Sequence, residues 1–426
     1  MMAVALLLTG CTDLQGETLY RLPERPEEYG MLQEAIASAM TDSQFCAPLF
    51  GENRQPVQTA DLTGDGVAEY VVLAKNRTTD RLEVLVFGQQ KDACQLLARL
   101  DNSGAYFWQI SYADMDGKPG LELVVGRGLN GELPGVAEIY GMADGSLQEM
   151  LQATCSQFIV HDLDEDLQYE LMTVESGSSH ADCAVAKLYR YENDEFALFG
   201  QTELSFPEAS IHRLVAGNLQ DHIPAVYIAG SPQEQTLQTD VLALKGNEFQ
   251  NISAGNGIST RRDQIVYAHD VDADGVLELP MLGHGKVVEA GTAAIDQYLI
   301  GWYSVNLSGA HINKLHTFHN FRDGWYLQLE GDWSQRVFVE IQDQVYTFSV
   351  WDEQEKASEM ILSIHIFTGN DRENQAVAEN RFLLYRTETM VFSAKLDASS
   401  VSYGITQESL INSFHLILPD RYMGQT

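Results

Sequence analysis

Across residues 56–318 the apolar positions come in short alternating runs, the period of half-buried strands rather than of helices. Runs at 57–60, 70–73, 82–87 and 94–98 predict four short strands within one stretch, and the order returns with runs at 123–125, 171–172, 184–190 and 225–228. Residues 264–268 read as a strand entering the last copy. Upstream, Tyr29, Leu32, Ile36 and Met40 fall on one face at helical spacing and predict a helix across 27–41. A loop with Pro48, Gly51 and Asn53 follows, so residues 21–55 form a helix and lead-in. Beyond 319 the short repeat stops. Six runs, at 325–329, 336–341, 345–350, 360–367, 382–385 and 390–394, predict strands, and the polar stretch 370–380 an exposed loop or short helix. A helix over 406–417 should start at the N-cap Thr406, with Ile405 and Leu410 packing across the cap and Leu410, Ile411, Phe414 and Leu418 on the sheet. Strands followed by one packed helix predict a separate α+β domain over residues 319–426.

Between the first and second strand of each copy stands an acidic frame. Asp270-Val-Asp272-Ala-Asp274-Gly275-Val-Leu-Glu278 puts oxygen-bearing side chains at positions 1, 3, 5 and 9 and glycine at position 6. Asp61, Thr63, Asp65, Gly66 and Glu69 repeat it, and so do Asp162, Asp164, Asp166 and Glu170, with Leu167 in the glycine place. Asp114, Asp116 and Glu122 keep the frame but carry Lys118 at position 5, and Asn218-Leu-Gln220-Asp-His222 is a worn copy with Val226 at position 9. The first positions lie 53, 48, 56 and 52 residues apart. Four strands per copy at that period are the signature of propeller blades, none of which can bury its faces alone.

Alternate residues of a tight loop can turn their carboxylates onto one hard cation, and without a cation such neighbours repel. Calcium is therefore expected at Asp270, Asp272, Asp274 and Glu278, and also at the Asp162 and Asp61 frames. The alternative is a metal-free turn in which the aspartates accept backbone N–H groups. Lys118 should neutralise Asp114 and Asp116, leaving no metal there, and the Asn218 frame has too few acids. The position-9 glutamates can equally be structural acids that hold the next turn.

Acidic loops followed by apolar strands resemble FG-GAP/VCBS-type repeats, found in integrin α-subunit propellers and many bacterial surface proteins. The resemblance covers residues 56–318 and implies a β-propeller of about five four-stranded blades, with each frame in the first hairpin of its blade. The family's Phe-Gly and Gly-Ala-Pro signatures are not present in recognisable form. The segment from residues 19–23 to 53–57 also resembles the lead-in of uncharacterised bacterial lipoproteins with such repeats.

Charge narrows the partners. Sixty-one acids against 26 lysines and arginines give a net charge of −35, which argues against nucleic acid and against anionic lipid. The start Met1-Met-Ala-Val-Ala-Leu-Leu-Leu8-Thr9-Gly10-Cys11 resembles a bacterial lipobox, too short to span a bilayer. It predicts lipidation of Cys11, with residues 1–20 as signal and tether, and the missing Lys or Arg leads us to expect a start further upstream. Cys46, Cys94, Cys155 and Cys183 match no zinc spacing and leave disulfides and buried thiols both open.

No nucleophile elbow, P-loop or dinucleotide fingerprint appears. His311, His316 and His319 are close in sequence, but period 2 puts only His311 and His319 on one strand face. Gly283-His284-Gly285 reads as a turn. Tyr106-Phe107-Trp108 and Trp302-Tyr303 suit packing or a binding face. The expected function is a membrane-tethered extracytoplasmic lipoprotein whose calcium-braced propeller binds or scaffolds a protein or glycan. The alternative is a glycan or cell-wall hydrolase or lyase, which a central pocket with convergent His, Arg or carboxylates would favour.

Overall fold

Each acidic frame turns one strand back on the next, and these hairpins set the architecture. The computed structural model describes residues 27–90, 93–129, 135–177, 183–233, 236–254, 260–263, 265–282, 286–289, 297–352 and 357–417. Cys11, its tether, the glycine-flanked His284 and Leu418 lie outside the described residues.

The chain is mainly β, and its described residues form six sheets that are antiparallel but for one strand pair. The first holds Val57–Ala60, Glu69–Asn76, Leu82–Gln90 and Ala93–Asn102, with Ser43–Phe45 added beside Glu69–Asn76. The second is Tyr106–Ala113, Glu122–Gly128, Gly135–Ala143 and Ser146–Cys155, and the third Gln157–His161, Glu170–Glu175, Val185–Glu192 and Glu195–Glu203. The fourth is Ile211–Asn218, Pro224–Gly230, Gln238–Lys245 and Glu248–Asn251. In the first three, position 9 pairs with the residue before position 1: Ala60 with Glu69, Ala113 with Glu122, His161 with Glu170. Hydrophobic clusters fill the spaces between consecutive sheets, joining Leu73 to Ile110, Val124 to Phe158, Met172 to Ile228 and Tyr227 to Leu279. The second strands are buried on both faces, which is why they read as unbroken apolar runs such as Val71, Val72, Leu73 and Ala74.

The fifth sheet departs from the pattern. Residues 265–268 form no strand, and the entering segment keeps only the bridge between His269 and Glu278. The cause is Pro280. His269 and Glu278 exchange both backbone hydrogen bonds, so the next such pair would be Tyr267 with Pro280, which has no N–H to give. The sheet is instead Leu279–Leu282, Gln297–Val305, His311–Asn320, Trp325–Leu329 and Phe414–Leu416.

All six runs beyond residue 319 form strands, yet they do not stand apart. The expected boundary at 318 falls inside His311–Asn320, and Trp325–Leu329 joins the fifth sheet. Lys286–Glu289, from the repeat side, pairs parallel with Val337–Gln342 in the sixth sheet. That sheet continues through Val345–Asp352, Ala357–Thr368, Met390–Leu396 and Phe382–Arg386. One cluster spans both sheets, including Phe318, Trp325, Phe348, Phe392 and Phe414. Buried apolar surface decided the partition, not the end of the repeat.

The N-terminal helix is Glu27–Ala39, with Leu32 buried against the first sheet. The 370–380 stretch contains the helix Arg372–Val377. The last helix is shorter than expected: Gln407–Ser413 starts at a capping box between Thr406 and Ser409, then gives way to the strand Phe414–Leu416. Ile405 and Leu410 are both buried in one cluster, as a staple requires. Cys46, Cys94, Cys155 and Cys183 form no disulfide.

Candidate functional site

The frames build the same turn from side chains that accept backbone N–H groups. At position 1, Asp61 Oδ1 and Oδ2 accept the N–H groups of Gly64 (2.7 Å) and Gly66 (2.8 Å), and Asp270 accepts those of Asp274 (3.1 Å) and Gly275 (3.0 Å). At position 5, Asp65, Asp166 and Asp274 each cap their own turn by accepting the N–H two residues on. At position 9 the glutamate reaches back to the N–H of position 2. Leu62, Met115, Leu163 and Val271 donate to Glu69, Glu122, Glu170 and Glu278 at 2.8, 2.7, 2.8 and 3.1 Å. Position 6 takes a positive φ at Gly66 and Gly275 (85°), whereas the Asp114 frame has Pro119 there and turns at Gly120 (107°) instead. Leu167 is forced to 73° at position 6 of its own frame.

Consecutive frames also touch. The N–H of position 8 donates to the position-1 carbonyl of the frame before: Leu121 to Asp61 (2.9 Å), Tyr169 to Asp114 (2.9 Å) and Leu277 to Asn218 (3.0 Å). Gly64 packs so closely that an added Cβ would lie 2.4 Å from the Pro119 carbonyl carbon. The acidic loops thus tie successive sheets together at one end.

Carboxylates at positions 1, 3 and 9 converge within 4.8 Å in three frames: Asp114, Asp116 and Glu122; Asp162, Asp164 and Glu170; Asp270, Asp272 and Glu278. Two oxygens on one calcium ion lie at most about 5 Å apart, so each group has the spacing to hold one. Asp166 and Asp274 stand outside these groups, and the Asp61 frame, with Thr63, forms none. Burial pushes Glu122 and Glu170 up to about 7 and Glu278 up to about 8, with neighbouring aspartates adding to the shift at each.

The frames differ in what offsets that charge. Lys118 Nζ lies 3.2 Å from Asp116 and donates to Tyr191 of the next sheet at 2.7 Å. In the third sheet Arg190 lies 2.7 Å from Asp164 and 3.2 Å from Glu170. In the fifth, Lys314 Nζ is 2.7 Å from Asp274 but 4.0 Å from Asp272. The latter two cations come from one recurring irregularity. A β-bulge leaves Leu97, Met150, Phe199 and Lys314 as the extra residue of their strands. Gly88 and Gly141 sit under Leu97 and Met150. Arg190 takes the equivalent place in the third sheet, whereas in the fifth the bulged residue is itself the cation.

The bulge also corrects the histidine reading. It reverses the alternation between Asn313 and Leu315, so His311 packs beside Tyr303 while His319 packs beside Trp302 on the opposite face. Trp302 is fully buried and donates to Thr317 Oγ1 at 2.8 Å, a packing role.

Two oxygens test the fit of a metal. Glu278 is fully buried, and its Oε1 has no hydrogen-bond partner among the described residues; Asp162 Oδ1 is also buried without one there. Arg190 already serves Asp164 and Glu170, whereas Lys314 turns mainly to Asp274. The Asp270 frame is therefore the better fit, with Asp270, Asp272 and Glu278 as the residues that would hold calcium. In the Asp61 frame both Glu69 oxygens are engaged, Oε2 by the N–H groups of Leu62 and Thr63 and Oε1 by the Thr63 hydroxyl at 3.0 Å.

A second feature lies away from the acids. The first strands of the second, third and fourth sheets line an inner cavity of two adjoining chambers, about 320 and 560 Å³, that share Gln109, Phe158, Leu214 and Val215. The lead-in loop closes one side, with Leu49 and Phe50 N–H groups donating to the carbonyls of Phe107 and Trp108. The larger chamber runs toward the frames, reaching Ala113, His161 and Ala216. The smaller is lined by Phe50, Tyr106, Trp108, Gln157, His212 and Arg213 among others, and among the described residues by no Asp or Glu. His212 is tied on both sides: Nδ1 is 3.3 Å from the Tyr267 hydroxyl and Nε2 is 3.0 Å from that of Ser231. The Arg213 guanidinium stacks over the Tyr267 ring at 5.6 Å, and burial lowers its pKa.

Of the aromatic run, Tyr106 and Trp108 reach the cavity, whereas Phe107 is buried in the core. His212 and Arg213 carried no motif. Their signal was positional, since Gln109, Gln157 and Arg213 each stand five residues before position 1 of their frames.

No family model and no curated protein matches the sequence. Among solved structures, the chain is similar to the exotype rhamnogalacturonan lyase YesX at 11% identity, over 72% of this chain and 65% of that one, with a TM-score of 0.31. It therefore spans just under two thirds of that lyase. Rhamnogalacturonan lyase YesW gives 12% identity over 72% and 71% of the two chains, with a TM-score of 0.31. A protein from Lactobacillus plantarum gives 10% over 74% and 86%, with a TM-score of 0.29. Likenesses this distant assign neither family nor activity.

Proposed function

We propose that this chain is a ligand-binding module of an extracytoplasmic lipoprotein, lipidated at Cys11, in which five consecutive sheets act as propeller blades of FG-GAP/VCBS type. The observation that carries the reading is the inner cavity. First strands of successive sheets line it, and its chambers fall in the size range of ligand pockets, about 300–1,000 Å³. The ligand is a glycan or a protein segment, and calcium at Asp270, Asp272 and Glu278 braces one end of the module. The frame-to-frame hydrogen bonds support that bracing role.

A glycan lyase or hydrolase is the second reading, favoured by His212 and Arg213 in the cavity away from the acidic frames. Two features weigh against it. Among the described residues no carboxylate pair lines the smaller chamber, and both His212 ring nitrogens are engaged within the protein, so neither is poised to take a substrate proton.

The test uses the full chain, calcium-replete, against glycan and peptide arrays, in parallel with Gln109→Trp, which fills the waist shared by the chambers. Binding to a discrete ligand class that the variant loses is the expected result. Equal profiles for the two proteins would remove the cavity from the function, and turnover of a bound glycan would move the reading to the lyase. Cys11→Ala should release the protein from membranes into the medium.

A further inference from the structure

We propose that the smaller chamber takes an acidic saccharide, with a sugar ring stacked on Tyr106 and the sugar carboxylate held by Arg213. The inference rests on the binding-module reading and names its ligand class.

The chamber combines three things a uronate needs. The first is an aromatic platform with one face already covered. Tyr106 lies over Gly128, where an added Cβ would sit 2.3 Å from the ring, so glycine there lets the ring lie against the backbone. The residue remains 41% exposed, which leaves aromatic surface for the apolar face of a pyranose. Trp108, tilted against Phe158 at 5.5 Å, and Phe50 extend that apolar wall.

The second is neutral hydrogen-bonding capacity. Gln109 and Gln157 occupy the same place in successive repeats and each offers both an amide donor and a carbonyl acceptor, suited to sugar hydroxyls. The third is charge. In a chain with 61 acids and 26 lysines and arginines, a smaller chamber whose lining has an arginine, a histidine and, among the described residues, no acid is a local reversal of sign. Arg213 occupies the repeat position that Gln109 and Gln157 fill elsewhere, so the change is confined to one side of the chamber. A half-buried guanidinium gains most from a carboxylate, whose two oxygens match its planar fork. Salt screens the chain's exposed acids beyond about 8–10 Å, whereas a half-buried contact to Arg213 is screened much less.

The experiment is calorimetric titration of the full chain with a panel of uronate tetramers and with neutral tetramers of the same linkages. At least one uronate should bind, and its neutral counterpart should bind about tenfold more weakly or not at all. Arg213→Gln should weaken uronate binding by about tenfold or more while leaving the neutral sugar unchanged, and Arg213→Lys should recover part of the loss. Tyr106→Ala should weaken both. Unaltered melting temperatures for these variants would show that the losses are local. The proposal is overturned if neutral tetramers bind as tightly as uronates, if Arg213→Gln keeps full uronate affinity, or if no uronate binds at millimolar concentration. A different ligand lost in Gln109→Trp, with no uronate bound, would sink this inference and leave the module reading standing. No ligand lost in Gln109→Trp would sink both.

Discussion

The Asp61 and Asp270 frames share a backbone, a turn and a terminal glutamate, yet one is complete and the other is not. In the first, Thr63 fills position 3, and its hydroxyl and N–H help occupy both oxygens of the buried Glu69. In the second, Asp272 fills that position, Glu278 accepts one N–H, and its Oε1 is left buried without a partner among the described residues. A hydroxyl donates where a carboxylate only accepts and repels. One side chain therefore separates a self-satisfied turn from one that calls for a cation or a proton.

The largest expected effect comes from removing the glutamates. Glu69→Ala strands two backbone N–H groups and a hydroxyl and should cost about 3 kcal/mol, at roughly 1–3 kcal/mol per buried orphan. Glu278→Ala in chelator strands one N–H but also relieves repulsion, so about 1 kcal/mol or less is expected. Urea unfolding of both variants measures this, and equal losses would erase the distinction between the frames.

Exchanging position 3 sharpens it. Calcium should stabilise the wild type by about 1.4 kcal/mol at tenfold excess over Kd. Asp272→Thr should abolish that increment and raise stability in chelator. Thr63→Asp should lower stability in chelator and gain a calcium response. Thermal melts with calcium and with chelator report both, and a wild type indifferent to calcium would leave every frame a metal-free turn.

Acidity probes the same contrast more gently. Glu278 ionises near 8 when folded, against an ordinary 4.5, because burial disfavours its charge. Over that interval the folded protein holds a proton that the unfolded chain has released, so stability in chelator should fall as pH rises from about 5 to 8. Glu122 and Glu170, raised to about 7, act in the same direction. Calcium, competing with the proton, should flatten the slope, and Glu278→Gln should remove part of it. A melting temperature that climbs through this range in chelator would contradict the assignment. The smallest effect belongs to Lys314→Gln. The pair with Asp274 is about a third exposed, so its loss should cost under about 1 kcal/mol in chelator, while calcium should bind more tightly without the competing ammonium.

The frames were legible because their chemistry is local. Asp61, Asp114, Asp162 and Asp270 announce tight turns by spacing alone, and the apolar runs after them announce buried strands. Lys118 could be read as a built-in cation because it stands inside its frame. Arg190 and Lys314 could not, since they reach Asp164 and Asp274 from strands 20 or more residues away in the chain. Period 2 also misplaced His311, because a bulge is one unpaired residue with no signature in the alternation.

The sequence by itself determined the repeat, the strands and the turns, since these depend on neighbours within a few residues. Tertiary structure decided the rest. It chose where the fifth sheet takes its strands, because Pro280 blocks one ladder and buried apolar surface rewards pairing Trp325–Leu329 with Phe414–Leu416. It chose which side chains offset the charge of each frame, because charges meet through space and not along the chain. It also placed Tyr106, Gln109, Gln157 and Arg213 around one cavity, since that convergence requires the sheets to stack with their first strands turned inward.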